Sequence, residues 1–269
     1  MNLKLPPSLR VLAKAVQEKG YTLYVVGGAV RNALLGLPSS DIDICSQLLS
    51  KDVMKLCEEL GYPAIEVNPR LNTLHIELDG ETVEYTAFRS ESYSQGGSHE
   101  PQSVEVGVDI NTDALRRDFS VNALYYNILT GEVTDPTSKG LDDIKRRRLS
   151  TTTKDPAIIM KDDALRMLRL CRFTAELGFN PDPEVVKFVR NNSKLIHDAS
   201  MPRVFHELER LLLADTKYEQ NQNGRMPAHK RGLLALNACG LLTELIPEFA
   251  HANEMGKCLY HRHSVLFIA

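Results

Sequence analysis

Two aspartates separated by a single residue, Asp41 and Asp43, are the first side chains in this sequence whose spacing could do chemistry. They alternate with isoleucines in a strand-like pattern, so both carboxylates should point to one face, about 6.5 Å apart along the chain. Like charges on one face repel each other unless a cation joins them, and hard oxygen ligands favour Mg²⁺. A third carboxylate, Glu84, lies in a later strand-like segment and would make two-metal chemistry possible. Taken alone, the Asp-x-Asp spacing is more typical of a solvated strand.

A pair of glycines upstream, Gly27 and Gly28, separates a β-rich segment from a helical one, and Arg31 follows. The spacing fits neither G-x-G-x-x-G nor the P-loop pattern, so neither a dinucleotide-binding fold nor a Walker NTPase follows from it. Two glycines at the start of a helix expose backbone N–H groups that could hold phosphate. A tight turn explains the pair equally well.

Asp163 and Arg166 form a third candidate pair, three residues apart on a predicted helix over 157–177, so their side chains should lie together. Aspartate only accepts hydrogen bonds and arginine only donates them. Cytosine and adenine each present an amino donor beside a ring-nitrogen acceptor, whereas uracil and guanine have a carbonyl where the amino group would be. The pair could therefore select cytosine and adenine. Without supporting motifs, a surface ion pair is the simpler interpretation.

Basic residues cluster at 115–118 and 145–148, and the predicted helix continues with Arg169 and Arg172 at the same three-residue spacing. One of these two arginines could face a nucleotide or an RNA, although a solvated helix face is the ordinary explanation for such clusters. The chain has 32 Lys and Arg against 35 Asp and Glu, a net charge of −3. This excludes a uniformly basic nucleic-acid binder but leaves room for local basic patches.

The elements that must position these residues change character near residue 150. The earlier part predicts helices over 6–19, 29–35 and 51–60 and strands over 21–26, 41–44, 73–78, 82–88, 103–108 and 123–129, with Asp79-Gly80 as a hairpin turn. The polar segment 89–102 predicts a mobile loop. The later part predicts helices over 157–177, 183–197, 202–214 and 228–239. We therefore expect an α+β fold, a small mixed sheet with flanking helices followed by an all-helical region.

Composition limits the class of protein. The 269 residues are 43% apolar and 25% charged, which is ordinary for a globular chain and excludes a disordered or collagen-like one. No apolar run approaches the roughly 18 residues that a membrane span needs. The N-terminus has no long apolar stretch and is interrupted by two prolines, which argues against a secretory signal. The five cysteines show no C-x-x-C spacing. They predict buried, reduced thiols and a cytoplasmic location.

Five segments in order resemble successive motifs of the class II tRNA nucleotidyltransferase and bacterial poly(A) polymerase family. They read GGAVRNALLG…DIDI, VEYTAFR, LRRDFSVNALYY, DPTSKGLDDIKRRRL and DDALRMLRLCRFTAELGF, and the resemblance as a whole covers residues 24 to about 215. The resemblance implies transfer of a nucleoside monophosphate from CTP or ATP to an RNA 3′-hydroxyl, with release of pyrophosphate. It also implies a nucleotidyltransferase head over 1–150, a helical neck over 151–215 and the start of a helical body over 216–269.

The resemblance assigns a role to each candidate residue. Asp41, Asp43 and Glu84 are implied to hold Mg²⁺ and to act in catalysis. The implied nucleotide-binding residues are Gly27, Gly28, Arg31, Arg116, Asp118, Asn122, Asp163, Arg166, Arg169 and Arg172. The implied partners are CTP, ATP and the 3′ end of tRNA or another RNA, without a membrane. Nothing in the sequence indicates an oligomeric state.

The sequence departs from the family pattern at several positions. Asn32 follows Arg31 where the family commonly has aspartate, Pro202 precedes Arg203 where glutamate is usual, and 71–73 lacks a usual glycine. The family is generally longer, so we expect the chain to stop inside the body. His261 and His263 do not supply a complete metal set for a phosphohydrolase.

Several functions remain open at this point. CCA addition to tRNA is the first interpretation, and poly(A) addition or a CC- or A-adding specialist of the same family is compatible with the same motifs. A non-catalytic nucleotide- or RNA-binding fragment is the alternative from another class. The retained carboxylates Asp41, Asp43 and Glu84 and the Asp163 and Arg166 pair oppose that last interpretation.

Overall fold

A computed structural model describes residues 3–39, 41–93, 101–222 and 226–250. The chain divides into two compact units, the first formed by residues 1–92 and 101–146 and the second by 93–100 and 147–269. The first is mixed and the second is helical apart from one short strand pair. The α+β class predicted from the sequence is confirmed.

The first unit alternates helices and strands along the chain. Its elements are α1 (Pro7–Glu18), β1 (Tyr24–Val26), α2 (Gly28–Leu35), β2 (Asp43–Ser46), α3 (Ser50–Leu60), β3 (Ala64–Asn68), β4 (Thr73–Leu78), β5 (Glu81–Ala87), β6 (Arg89–Ser92), β7 (Ser103–Val106), α4 (Ile110–Leu115), a 3₁₀ helix (Ser120–Asn122), β8 (Tyr125–Asn127), β9 (Val133–Thr134) and α5 (Gly140–Arg146). Seven of the strands form one sheet in the order β3-β4-β5-β2-β1-β8-β9. Within this sheet β2 and β5 are parallel, and the other neighbouring pairs are antiparallel.

The two faces of this sheet are covered differently. One face packs against α1, α2 and α3 in a core that includes Leu12, Val30, Val53, Ile76 and Tyr85. The other carries a smaller cluster beneath α4, made of Val26, Cys45, Phe88, Ala114, Ala123 and Tyr125. The rings of Tyr24, Phe88 and Tyr125 lie 5.9 to 6.1 Å apart there. Helices thus cover one face of the sheet, whereas the other face is covered only in part.

Local predictions in the first unit are mostly confirmed. The Asp79-Gly80 turn joins β4 and β5, with φ of +54° and +84° at the two residues, as a tight hairpin turn requires. The loop predicted over 89–102 is wrong in part, because Arg89–Ser92 pairs with Ser103–Val106. Residues 94–100 lie outside the described residues. The short polar strand β6 takes its structure from its partner, which its own composition does not reveal.

The second unit is a helical assembly. Its elements are β10 (Arg148–Leu149), α6 (Pro156–Asp162), α7 (Leu165–Leu177), β11 (Asn180–Pro181), α8 (Pro183–Asn191), a 3₁₀ helix (Ser193–Asp198), α9 (Met201–Leu212), α10 (Ala214–Lys217), α11 (Glu219–Gln222), α12 (Ala228–Ala238) and α13 (Leu241–Leu245). The buried helix α7 contacts both α9 and α12. The helix predicted over 157–177 is wrong as a single element, because it is interrupted between Asp162 and Leu165. The helix predicted over 183–197 is also shortened, since α8 ends at Asn191 and a 3₁₀ helix follows.

Four cysteines, Cys45, Cys57, Cys171 and Cys239, are buried and free, which confirms the predicted reduced thiols at these positions. Burial raises the pKa of Cys57 to about 11. Cys258, His261 and His263 lie outside the described residues. In the part of the chain that is described, no helix is long and apolar enough to cross a membrane.

Gly140, at the start of α5, provides a test of packing in the first unit. A Cβ atom there would lie 2.5 Å from the carbonyl oxygen of Ser120 and 2.8 Å from a methyl carbon of Leu124. We expect Gly140→Ala to lower the free energy of unfolding by about 1–3 kcal/mol, because backbone cannot yield as a flexible side chain can. Urea denaturation measures this. An unchanged unfolding midpoint would show that α5 can shift away from Ser120 at no cost.

Candidate active site

The turn after β1 brings the start of α2 against Asp43. Gly27 adopts φ +78° and ψ −137°, a conformation that essentially only glycine tolerates. A Cβ atom on Gly27 would stand 3.5 Å from Oδ2 of Asp43. The glycine therefore serves both the chain reversal and the approach of a helix N-terminus to a carboxylate.

Two of the three predicted carboxylates are direct neighbours in the sheet. Asp43, the first residue of β2, is the register partner of Glu84 in the parallel strand β5. Adjacent strands lie about 4.8 Å apart, and directly paired residues point to the same face. Asp41 precedes β2 by two residues, so the strand predicted over 41–44 begins later than expected. The alternation nevertheless continues, with Asp41 and Asp43 exposed and Ile42 buried.

This arrangement of carboxylates disfavours the charged form of Asp43. Its side chain reaches solvent, but surrounding protein atoms crowd its carboxyl group. That desolvation is the largest cause raising the pKa of Asp43 to about 6, and the charges of Glu84 and Asp41 add to it, while Arg117 acts in the opposite direction. A divalent cation would relieve the same repulsion.

The three carboxylates have suitable chemistry for a hard cation. Among the described residues, no three His, Cys, Asp or Glu side chains stand close enough together to hold a metal ion. The assignment of Asp41, Asp43 and Glu84 as metal ligands stays a prediction. The oxygen donors and the raised pKa of Asp43 fit a divalent ion, with Asp43 and Glu84 as the paired ligands.

Arg31 is held in place by a buried chain of polar side chains. Its Nε and Nη2 donate to Oδ1 of Asn32 at 3.1 and 2.9 Å, and its Nη1 donates to Oδ1 of Asn122 at 2.6 Å. Asn122 donates in turn to Asp118 at 3.1 Å. Asn32, which stands where the family commonly has aspartate, therefore still orients Arg31. The structure thus brings together three residues predicted to bind the nucleotide, namely Arg31, Asp118 and Asn122.

Arg31 also lies close to the glycine turn. A Cβ atom on Gly28 would lie 3.5 Å from its Nη2. The guanidinium group therefore adds a full positive charge beside the amide groups at the start of α2, where the helix already favours anions. This combination suits phosphate oxygens.

Arg116 is placed differently from the prediction. Its Nε and Nη2 donate to Oδ1 of Asp113 at 2.9 and 2.7 Å, and its Nε also reaches the carbonyl of Arg89. Asp113 is fully buried and accepts from Arg117 and Tyr125 at its other oxygen. The Arg116 side chain thus braces α4 against β6, which is a structural role rather than the predicted nucleotide contact.

Asp113 is the residue that sequence reasoning missed. Burial disfavours its charged form, but Arg117 and Arg116 outweigh burial and lower the pKa of Asp113 well below its usual range. The signal was present, because Asp113 precedes Arg116 and Arg117 by three and four residues, the spacing of helix ion pairs, although both arginines directly follow the last residue of α4. Removing one partner of such a buried set leaves uncompensated charge.

In the helical unit, Asp163 lies in the break between α6 and α7 and not on a continuous helix. Its backbone is extended, at φ −146° and ψ +105°, and its Oδ1 accepts from the backbone N–H of Leu165 at 3.1 Å. The predicted helical juxtaposition with Arg166 is therefore wrong in its geometry. Asp163 is instead clamped by Arg203 of α9, whose Nη2 and Nη1 donate to its two oxygens at 2.8 and 3.4 Å.

Arg166 and its neighbours on α7 occupy buried positions. Arg166 donates to the carbonyl of Ile159 at 2.9 Å and lies 3.9 Å from Asp162. Arg166 lies in the first turn of α7, which begins at Leu165, and Asp163 precedes that turn. Asp163 and Arg166, the predicted base-reading pair, thus both lie at the junction between α6 and α7. Different contacts hold each of the two side chains.

Arg172 is a structural residue. It is 1% exposed and pairs with Glu207 of α9 and Glu176 of α7. A guanidinium group enclosed in this way is not available to a nucleotide, so the prediction for Arg172 is wrong. Arg169 stands nearer the surface, 3.6 Å from Glu207 and 5.3 Å from the ring centroid of Phe173. Its predicted contact with nucleotide or RNA stays a prediction.

Comparison with known families gives matches in both units. Residues 23–150 match the family described as the poly(A) polymerase head domain. Residues 178–219 match the family described as a probable RNA- and SrmB-binding site of polymerase A. The first match contains the glycine turn and all three carboxylates, and the second contains Arg203.

Similar proteins are CCA-adding enzymes. The chain is 36% identical over 197 residues to that of Bacillus pumilus, which is 73% of this chain and 47% of that protein. It is 33% identical over 213 residues to that of Geobacillus stearothermophilus, or 77% of this chain and 50% of that one. The crystal structure of the Bacillus stearothermophilus CCA-adding enzyme in complex with CTP is similar with a TM-score of 0.73 and 30% identity, covering 88% of this chain and 53% of that chain. The chain therefore spans about half the length of these relatives.

The raised pKa of Asp43 makes a prediction about stability. Because the folded state holds this proton more tightly than the unfolded state, ionising Asp43 costs stability as pH rises from about 4 to about 6. In the presence of a chelator, Asp43→Asn should therefore be more stable than the wild type at pH 7, by about 1 kcal/mol once solvent access is allowed for. The difference should shrink as pH falls toward 4.

Chemical denaturation at several pH values measures this difference. Glu81→Gln is the control, since Glu81 is exposed at the start of β5 and its side chain points to the opposite face from Glu84. An Asn variant that is no more stable than the wild type at pH 7 would show that the carboxylate is not under strain.

Proposed function

Because this chain belongs to the family of tRNA nucleotidyltransferases and bacterial poly(A) polymerases, we propose that it adds nucleotides to the 3′ end of tRNA without a template. The substrates are CTP and ATP, and the product is the CCA end, with pyrophosphate released. The observation that carries this proposal is the Asp43–Glu84 register pair set against the glycine turn that opens α2. The similarity to CCA-adding enzymes over both units supports the same reaction.

The reaction is an in-line displacement at phosphorus. The 3′-oxygen of the RNA forms a bond to the α-phosphorus of the nucleotide, and the bond from that phosphorus to the oxygen bridging to the β-phosphate breaks. Asp41, Asp43 and Glu84 would hold the divalent cations, and we propose Mg²⁺ because the donors are all carboxylate oxygens. When bound, these ions lower the pKa of the attacking hydroxyl and neutralise charge on the triphosphate.

The surrounding residues orient the triphosphate and the sugar. The backbone N–H groups of Gly27 and Gly28 and the guanidinium of Arg31 bind the β- and γ-phosphates. Asn32 and Asn122 hold that guanidinium in one orientation, so no rotamer freedom is lost when the nucleotide binds. We propose that Asp118, whose Oδ1 accepts from Asn122 and from the backbone N–H of Phe119, lies near the ribose, since a carboxylate can accept from sugar hydroxyls.

Base selection falls to Asp163 and Arg166. The carboxylate of Asp163 already accepts two hydrogen bonds from Arg203 and one from the backbone of Leu165. A carboxylate has about four acceptor sites, so one remains for the amino group of cytosine or adenine. Uracil and guanine would present a carbonyl to that site. Arg203 holds the Asp163 carboxylate in one orientation, in which its remaining acceptor site accepts cytosine or adenine and rejects uracil or guanine.

Poly(A) addition and CC- or A-addition by a specialist use the same residues, and the order of nucleotide incorporation separates them. A non-catalytic binder is the alternative from another class. We propose the domain limits 1–150, 151–215 and 216–269 for head, neck and body, and a cytoplasmic location, where tRNA is processed.

The first experiment is incorporation of each labelled nucleotide, with Mg²⁺, onto tRNA transcripts ending before CCA, after C and after CC. We expect CTP to be added twice and ATP once, in that order, and we expect Glu84→Ala to abolish incorporation. Glu81→Ala, on the same strand, is the matched control and should retain activity. Long runs of adenosine would identify a poly(A) polymerase, and no incorporation by a folded chain that binds CTP would identify a binding protein.

A second prediction concerns base selection. Asp163→Ala should admit UTP and GTP while some CTP and ATP incorporation persists, because the acceptor that rejects a carbonyl is lost. Arg203→Ala should weaken selectivity in the same direction by releasing the Asp163 carboxylate. Asp198→Ala is the control, since Asp198 is exposed on the 3₁₀ helix before α9. Competition between labelled nucleotides measures the selectivity. If UTP and GTP stay excluded in the Asp163 variant, another residue reads the base.

A further inference from the structure

A single row of register partners crosses the seven-stranded sheet at the level of the carboxylates. It runs from Ile65 in β3 through His75 in β4, Glu84 in β5 and Asp43 in β2 to Val26 in β1 and Tyr125 in β8. Directly paired residues share a face, so these six side chains lie side by side on the sheet. The carboxylates occupy the middle of the row.

The two ends of this row have opposite environments. Val26 and Tyr125 are 2% and 0% exposed, covered by the cluster beneath α4, and Arg117 lies over the Tyr125 ring. At the other end Ile65 is 69% exposed and the His75 side chain is 46% exposed. The carboxylates therefore mark the border between a covered half and an open half of one sheet face.

In the open half, the side chains next to Glu84 are those of His75 and Ile65. Nε2 of His75 lies 3.5 Å from Oε2 of Glu84, so the imidazole ring stands beside the carboxylate. Ile65, on the edge strand β3, is the next residue in the row and is exposed. The ring of His75 and the branched side chain of Ile65 make an apolar strip that begins beside Glu84, the candidate metal ligand.

The in-line geometry of the reaction indicates which end of this row faces the RNA and which faces the leaving pyrophosphate. The attacking oxygen and the leaving group lie on opposite sides of the phosphorus atom. The proposed phosphate-binding groups, Gly27, Gly28 and Arg31, follow β1 directly and so lie beyond Asp43 on the side away from Glu84. The attacking oxygen then enters from the side of Glu84, and the nucleotide that carries it lies over β4 and β3.

We propose that the strip formed by His75 and Ile65 is the platform for the terminal nucleotide of the RNA 3′ end. This rests on the proposed function and names the substrate side of the same site. The neighbouring carboxylates repel the phosphates of the RNA. The ring and the aliphatic side chain of the strip therefore contact the base and the ribose of the terminal nucleotide. Such contacts do not depend on base identity, which suits an RNA end that changes with each addition.

Kinetics with the full chain test the platform. We expect Ile65→Glu and His75→Ala each to raise the KM for tRNA roughly tenfold while the KM for CTP stays as in the wild type; tenfold corresponds to about 1.4 kcal/mol. Val11→Glu is the matched control, because Val11 is exposed on α1, which packs on the opposite face of the sheet. Thermal unfolding verifies that all variants are folded.

His75→Phe separates contact with RNA from an effect on Glu84. Phenylalanine keeps a ring but cannot interact with the carboxylate through a ring nitrogen, so we expect the KM for tRNA to remain close to that of the wild type. If His75→Phe and His75→Ala both lower kcat and leave the KM for tRNA unchanged, His75 acts only on Glu84 and the platform is wrong. An unchanged KM in Ile65→Glu would overturn it as well.

A photocrosslink provides a readout that needs no catalysis. A tRNA transcript with 4-thiouridine as its terminal residue is irradiated with the wild-type chain in the presence of a chelator, and the crosslinked peptide is mapped. We expect attachment within 64–77, whereas attachment elsewhere would overturn the platform. Incorporation by the wild type tests the proposed function separately, so a chain that is active but crosslinks elsewhere refutes only the platform.

Discussion

The parallel pairing of β2 with β5 is the constraint on which the site depends. In a sheet whose other neighbouring strands are antiparallel, this pair sets Asp43 directly beside Glu84. The arrangement is unfavourable in itself, since desolvation and like charge raise the pKa of Asp43 to about 6. It persists because the opposite face of the same strands is packed against α1 and α3, so a shift in register would expose the residues of the core.

Around this strained pair, arginines serve two purposes that their sequence positions do not distinguish. Arg31 is oriented by the side-chain oxygens of Asn32 and Asn122 and lies beside the glycine turn that opens α2, a position that suits an anionic ligand. Arg116, Arg117 and Arg172 are instead paired with buried carboxylates and hold helices in place.

In the helical unit, an arginine likewise fixes the orientation of a candidate functional residue, Asp163. The interruption between α6 and α7 removes Asp163 from the helix and gives its carboxylate an Arg203 clamp from a separate helix. Pro202, which replaces the usual glutamate of the family pattern, falls in the first turn of α9, where the missing N–H has no partner to lose. The departure at 202 therefore leaves the position of Arg203 intact, as the replacement of aspartate by Asn32 leaves Arg31 oriented.

Sequence alone predicted most of the local elements and named the candidate carboxylates, although it missed Asp113. Alternating and helical periodicity, the Asp79-Gly80 turn and the glycine pair after β1 are local properties, and local sterics express them. It did not determine the break at Asp163, the strand at 89–92 or the burial of Arg172, because each depends on a partner distant in sequence: Arg203, Ser103–Val106 and Glu207. The neighbours of a side chain are set by strand register and helix packing, and these are decided by the burial of the whole core. That is why the carboxylates could be named from the sequence, while the order of Ile65, His75, Glu84 and Asp43 across the sheet emerged only from the tertiary structure.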